Sequence, residues 1–163
     1  MDKLRVPASA LYQVRRLYWQ TVHPHTYGVK ALVTHPEDPQ QVLLIRQSYG
    51  DTNVWTFTGG AYRPKRETAS QAARREVREE VGLSLGPVIL SLSEDIVTSE
   101  GKIDHLTIVA AAALSTTLQP NYEVAEATWA DRADISGTQF RGAILSRYVL
   151  PALAIYENYP NKG

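Results

Sequence analysis

GGAYRPKRETASQAARREVREEVGL, residues 59–83, is the stretch whose reading decides the fold. It holds four glutamates, five arginines and three glycines. Thr68 is followed three residues later by Gln71, a capping-box signature that starts a helix. Gly82 supplies its stop. The residues between are mostly good helix formers. On such a helix Glu76 and Glu80 stack on one face and Glu79 lies beside them. The three carboxylates then share about 100 degrees of arc and repel by a few tenths of a kcal/mol per pair in water. Neighbouring arginines (Arg74, Arg75, Arg78) or a divalent cation would offset that repulsion. Magnesium, a hard cation that takes oxygen ligands, suits such a cluster.

A charged helix is usually just a solvated face. Its surroundings argue otherwise here. Trp55-Thr56-Phe57-Thr58 alternates like a strand, and Val54–Thr58 is read as one entering the Gly59-Gly60 turn. A basic loop with Arg63, Pro64, Lys65 and Arg66 then leads into the helix. Strand, glycine turn, basic loop and carboxylate helix together describe a metal and phosphate site. Glycines let the backbone approach a ligand.

The run Glu67, Arg75, Glu76, Val77, Glu79, Glu80, Gly82 and Leu83 resembles the Nudix box, E-x7-R-E-V-x-E-E-x-G-L. The resemblance implies an α/β fold, an α/β/α sandwich with a mixed β-sheet. It also implies hydrolysis of nucleoside diphosphates linked to another moiety, with Mg2+ or Mn2+ as cofactor. By resemblance Glu76, Glu79 and Glu80 hold metal with a carbonyl of Gly59 or Gly60, and Glu67 pairs with Arg75. One feature departs from the family. Six residues separate Gly60 from Glu67 where the family has five, and Arg66 stands where a glycine is usual. Either the loop carries an extra residue or Ala61 takes the box-glycine position.

The 163 residues suffice for one domain. We read a helical extension over 1–24 and a catalytic core over 25–163. A formal net charge of +0 gives no general attraction to nucleic acid. Capped or triphosphorylated RNA stays open as a substrate only because the same box serves RNA 5′-end processing. The chain has no cysteine, which removes thiolate nucleophiles, cysteine zinc sites and the cysteine-dependent isoprenyl diphosphate isomerase chemistry of this fold. No apolar run is long enough for a membrane span and no signal peptide is evident, so a cytoplasmic location is expected.

Residues 8–19 place apolar side chains at helical spacing, which suits a short helix packed on the domain or on a second subunit of a homodimer. His23 and His25 read as loop histidines. Residues 28–34 and 41–47 read as strands, and Arg46 ends the second near the expected substrate side. Pro87–Val97 and Ile103–Leu114 form a predicted hairpin. The alanines of its second strand suggest a central strand covered on both faces. His105 in that strand reads as a hydrogen-bonded histidine, with Asp104 and Glu94 as weaker pocket candidates.

Glu123 lies six residues before Trp129 and Glu126 three before. By resemblance a glutamate in the loop before a tryptophan-bearing strand completes the metal site or acts as base, and Glu123 is the better placed. Arg63, Lys65 and Arg66, with Arg46, would meet phosphates. Trp55, Tyr62 or Tyr49 would stack on a base. Phe140–Tyr156 repeats apolar residues at helical spacing, so a helix interrupted at Pro151 is expected there. The final seven residues are expected to fray. The competing reading is a nucleotide-binding module of the same fold that does not cleave.

Overall fold

The computed structural model describes residues 17–19, 21–98, 101–135 and 137–160. Most of the expected N-terminal helix, residues 8–16, lies outside them, as do Ser99 and Glu100 of the hairpin turn.

Five strands form the main sheet: β1 His25–Thr34, β2 Gln41–Gln47, β4 Leu85–Val97, β5 Ile103–Ala113 and β6 Val124–Asp131. Their order is β4-β5-β1-β2-β6. β1 runs parallel to β5, and the remaining pairs are antiparallel, so the sheet is mixed. A small second sheet joins β3 (Val54–Trp55), β8 (Ala143–Leu145) and β7 (Gln139–Phe140). Helix α1 spans Ala69–Val81 and helix α2 spans Val149–Glu157.

Side chains alternate across a strand, so each strand feeds two cores. Val29, Ala31 and Val33 of β1 meet Ala72, Ala73, Val77 and Val81 of α1 on one face. Leu32 turns to the other face and joins Trp55, Phe57, Leu145, Ala152 and Tyr156. The alanines of β5 divide likewise, Ala111 and Ala113 toward α1 and Ala110 away from it. A central strand covered on both faces was expected, and the α/β/α layering holds.

Two stretches differ from the sequence reading. Phe140–Leu145 forms the short strands β7 and β8 instead of helix. Arg141 (φ 48) and Gly142 (φ 76) sit in the left-handed region, which no helix tolerates. Pro151 neither kinks nor divides α2. It is the third residue of the helix, where its missing N–H has no intrahelical partner to lose. The segment before the glycines is also not one strand. Ladder pairing stops at Trp55, and Thr56 bridges Ile45 of β2 whereas Thr58 bridges Ala31 of β1.

That change of partner positions the site. β1 and β2 stay paired only at Thr34 and Val42, then splay, and residues 56–62 thread between them. Thr56 exchanges backbone hydrogen bonds with Ile45 at 2.9 Å both ways. Thr58 O accepts from Ala31 N, Gly60 O from Val29 N, and Tyr62 N donates to Tyr27 O. The Gly59-Gly60 turn is therefore held in the middle of the sheet. Among the described residues no helix is long and apolar enough to cross a membrane.

Candidate active site

Helix α1 is capped as its sequence requires. Thr68 Oγ1 accepts from Gln71 N, and Gln71 Oε1 accepts from Thr68 N. Gly82 closes the other end at φ 75, its N–H donating to Arg78 O. A Cβ there would also lie 3.0 Å from Gln119. These caps fix which residues of α1 face the glycine turn.

Glu80 is the most enclosed carboxylate of the site, only 3% exposed. Its Oε2 accepts from Gly59 N at 2.9 Å. Burial pushes its pKa up to about 7; the Gly59 hydrogen bond and the Lys30 ammonium oppose the rise, and the charges of Glu76 and Glu123 add to it. Glu76 lies against the second glycine. A Cβ on Gly60 would stand 2.7 Å from Glu76 Oε1. Gly59 itself has φ 141, and a Cβ there would be 2.1 Å from Val29 O. The paired glycines thus meet the two carboxylates directly. Ala61 instead bridges Gly28. The loop turns over 64–66, where Arg66 N and Glu67 N both donate to Arg63 O.

Arg75 organises the outer carboxylates. Its Nε and Nη2 donate to the two oxygens of Glu67 at 3.2 and 2.8 Å. Its Nη1 reaches Glu76 at 2.7 Å and Glu79 at 3.2 Å. The Arg75 hydrogen bonds hold the Glu67 carboxyl below its ordinary pKa, and the guanidinium is raised in turn by Glu67. The Glu67–Arg75 pair ties the basic loop to the helix.

Glu123 sits in the turn before β6. Its carbonyl accepts from Ser48 N and its own N donates to Asn121 Oδ1, both at 2.9 Å. Asn121 N in turn donates to Glu80 O at the end of α1. Tyr49 faces the same group of acids: desolvation first, then the charges of Glu123, Glu80 and Glu76, raise its phenol above the ordinary value. Glu126 is occupied elsewhere. It pairs with Arg46 at 2.6 Å across the β2–β6 register and approaches Arg141 at 3.5 Å.

The substrate contacts expected from sequence divide. Arg63 and Lys65 line an open groove beside the turn. Arg46 is committed to Glu126, to Thr52 O at 3.2 Å and to the face of Trp55 at 5.4 Å. Trp55 departs from the expectation that it stacks on a base. It is 1% exposed and its ring packs edge-on against Phe140 at 5.3 Å, inside the second core. A ring in that place has no face left for a ligand.

Lys30 was missed by sequence reasoning. Its Nζ donates to Phe57 O at 3.3 Å and Gly59 O at 3.4 Å, and it lines two cavities with Tyr148. Tyr148 also shares a hydrogen bond with Thr56 Oγ1. The signal was present as a single cation in the apolar run GVKALVT. A lysine inside a strand of that kind needs either a snorkelling path or a ligand.

Carboxylate and carbonyl oxygens suit magnesium or manganese by donor chemistry, and the cradle that Gly60 leaves open brings Glu76 to the turn. Yet among the described residues no three acids or histidines converge closely enough to hold a metal ion. Arg75 is the physical reason: it draws Glu76 and Glu79 to its own guanidinium. The Gly59 and Gly60 carbonyls already accept from Lys30 and Val29, leaving each a second lone pair.

Comparison with known proteins agrees with this architecture. The family model described as NUDIX domain matches residues 24–153. A search of curated proteins returns no match. Similar solved structures include a MutT NUDIX hydrolase from Burkholderia pseudomallei (20% identity, 80% of this chain and 96% of that one, TM-score 0.65). The NUDIX domain of Shewanella oneidensis NrtR, complexed with ADP ribose, matches at 15% identity over 84% and 89% of the chains, TM-score 0.64. RenU, a Nudix hydrolase from M. smegmatis, matches at 22% identity over 83% and 84%, TM-score 0.61. At these identities the likeness is one of fold.

Proposed function

Because the chain belongs to the Nudix family, we propose that it is a metal-dependent pyrophosphohydrolase that cleaves a diphosphate linkage in a nucleoside diphosphate derivative by water attack on phosphorus. The observation that carries this reading is Glu80, a buried carboxylate on the Gly59 N–H, with its charge opposed by those of Glu76 and Glu123. Such a group is costly without a cation.

Glu76, Glu79 and Glu80 would hold the metal with the turn carbonyl of Gly59 or Gly60. When bound, magnesium supplies positive charge to the diphosphate and makes water easier to ionise. The chain's own residues do the rest. Glu123, or a helical carboxylate not otherwise engaged, takes the proton of the attacking water. A new P–O bond forms, the anhydride P–O bond breaks, and the leaving phosphate carries off the displaced electron pair. Lys30 holds the Gly59 carbonyl in place. Arg63 and Lys65 supply cations to the outer phosphates. Were Glu76 and Glu79 to serve as ligands, Arg75 would keep its bidentate pair with Glu67.

The same arginine favours a second reading, a nucleotide-binding module that does not cleave, because it already neutralises two of the three helical carboxylates. A panel of nucleoside triphosphates, ADP-ribose, other nucleotide sugars, dinucleoside polyphosphates and capped RNA separates the two. Cleavage that needs magnesium or manganese and stops with chelator is the expected result. A compound that raises the melting temperature with no cleavage of any panel member overturns the hydrolase reading in favour of the module.

The base assignment has its own test. Glu123→Gln lowers kcat about a hundredfold, within the usual range for a lost proton acceptor. Glu126→Gln keeps most of the rate, since that carboxylate is spent on Arg46. Steady-state kinetics showing the opposite order would move the role to Glu126.

A further inference from the structure

A groove of about 680 Å³ opens next to the glycine turn, starting at Ala61. Tyr27 and Tyr62 line it, their rings edge to face at 6.1 Å. Arg63, Lys65 and Arg66 line it from the loop. None of these three side chains has a hydrogen bond or ion pair among the described residues, although carboxylates crowd the neighbouring helix. Three unpartnered cations beside one concavity concentrate positive potential there.

His25 and Thr26 also line the groove, and His25 is held by a relay across three strands. His25 Nδ1 lies 2.7 Å from His105 Nε2, and the two rings lie edge to edge, centroids 5.0 Å apart with 6° between their planes. His105 Nδ1 lies 2.5 Å from Asp95 Oδ1. Tyr27 stacks on the same His105 ring at 4.7 Å. A carboxylate accepts only, so His105 Nδ1 is the donor to Asp95, and His25 Nδ1 and His105 Nε2 share a single proton across their 2.7 Å contact. This leaves Nε2 as the free nitrogen of His25. The groups around His25 are His105 and Asp95 across the sheet, Tyr27 on its own strand, and Tyr62, Arg63, Lys65 and Arg66 on the loop. Asp104 pairs with Thr26, on the opposite face of β1.

We propose that this groove binds a phosphate group carried on the substrate beyond the scissile diphosphate, with Arg63, Lys65 and Arg66 as its charged donors and His25 in its wall. For its catalytic consequence this rests on the hydrolase reading; for binding it stands alone. The geometry suits phosphate because guanidinium groups present paired donors to its oxygens.

The test titrates inorganic pyrophosphate into the full-length protein in chelator and follows the histidine side-chain resonances. Saturable shifts at His25 and His105, with His35 unmoved, are expected. Replacing Arg63→Ala and Arg66→Ala together weakens binding at least about tenfold, the loss of one or more charge-assisted hydrogen bonds. Glu80→Gln leaves it unchanged. On whichever substrate is cleaved, the arginine pair variant raises KM and spares kcat. No shift at His25, or equal affinity in the arginine variant, overturns the proposal. Cleavage without groove binding sinks this inference alone, and groove binding without cleavage of any panel compound sinks the hydrolase reading alone.

Discussion

Glu80→Gln loses metal-dependent turnover by at least about a thousandfold, yet in chelator near pH 8 it is more stable than the wild type. The two effects have one cause. Glu80 is a carboxylate enclosed at 3% exposure, beside like charges. Its amide counterpart keeps an oxygen to accept from Gly59 N and removes the charge that burial penalises. The sign follows from linkage. The folded pKa is raised from 4.5 to about 7. Between those values the folded state binds more protons than the unfolded one, so this group's contribution to stability falls as pH rises. The fall is complete above about 7 and absent below about 4.5. A rise of that size corresponds to about 3 kcal/mol at most. Urea unfolding in chelator should therefore show the variant gaining over wild type at about pH 8 and losing that advantage near pH 4.5. Added magnesium should stabilise only the wild type. A variant with wild-type rate, or one whose stability tracks wild type at both pH values, would remove Glu80 from the site.

How much of this was legible in the sequence depends on how local each cause is. Helix α1 could be read to its last residue, because Thr68, Gln71 and Gly82 act within a turn of the ends they define. The hairpin of β4 and β5 was legible for the same reason, its two runs being apolar and adjacent. Phe140–Leu145 was not. Its apolar spacing fits a helix, and only the left-handed Arg141-Gly142 turn and the edge offered by Val54-Trp55 make it strand. Trp55 failed as a substrate residue because burial is a property of the whole fold, and β8, Phe140 and α2 close over it from far along the chain. Their distances from Trp129 already set Glu123 in the loop and Glu126 toward the strand, but not what each side chain meets. What separates them is the register that sets Arg46 opposite Glu126. Lys30 carried a readable signal, but its importance depends on the path of residues 56–62 between β1 and β2, which no pairing rule on neighbouring residues foretells.

Gly59→Ala and Gly60→Ala should fail in different ways although the residues are adjacent. At Gly59 the new methyl would stand 2.1 Å from Val29 O and 2.9 Å from Lys30 Cα, both backbone atoms in the middle of a sheet. The φ of 141 adds strain that any L side chain meets. Neither neighbour can move without breaking the β1 ladder, so the cost should reach about 4 kcal/mol or more, and the protein unfolds at much lower urea. At Gly60 the clash, 2.7 Å, is with a terminal carboxylate oxygen of Glu76. That side chain can swing away, and stability should drop by less than about 1 kcal/mol. The swing carries the Glu76 carboxylate out of the cradle, and a displacement of about 1 Å is enough to lower the rate about a hundredfold. Gly50→Ala is the control for a left-handed backbone alone, with φ 70 and nothing within 4 Å, and should cost about 1 kcal/mol. Urea midpoints and turnover measured on all three variants decide the matter. If Gly60→Ala unfolds the protein as Gly59→Ala does, the second glycine serves the fold and not the carboxylate. If it retains full rate, Glu76 does not need to stand where the structure puts it.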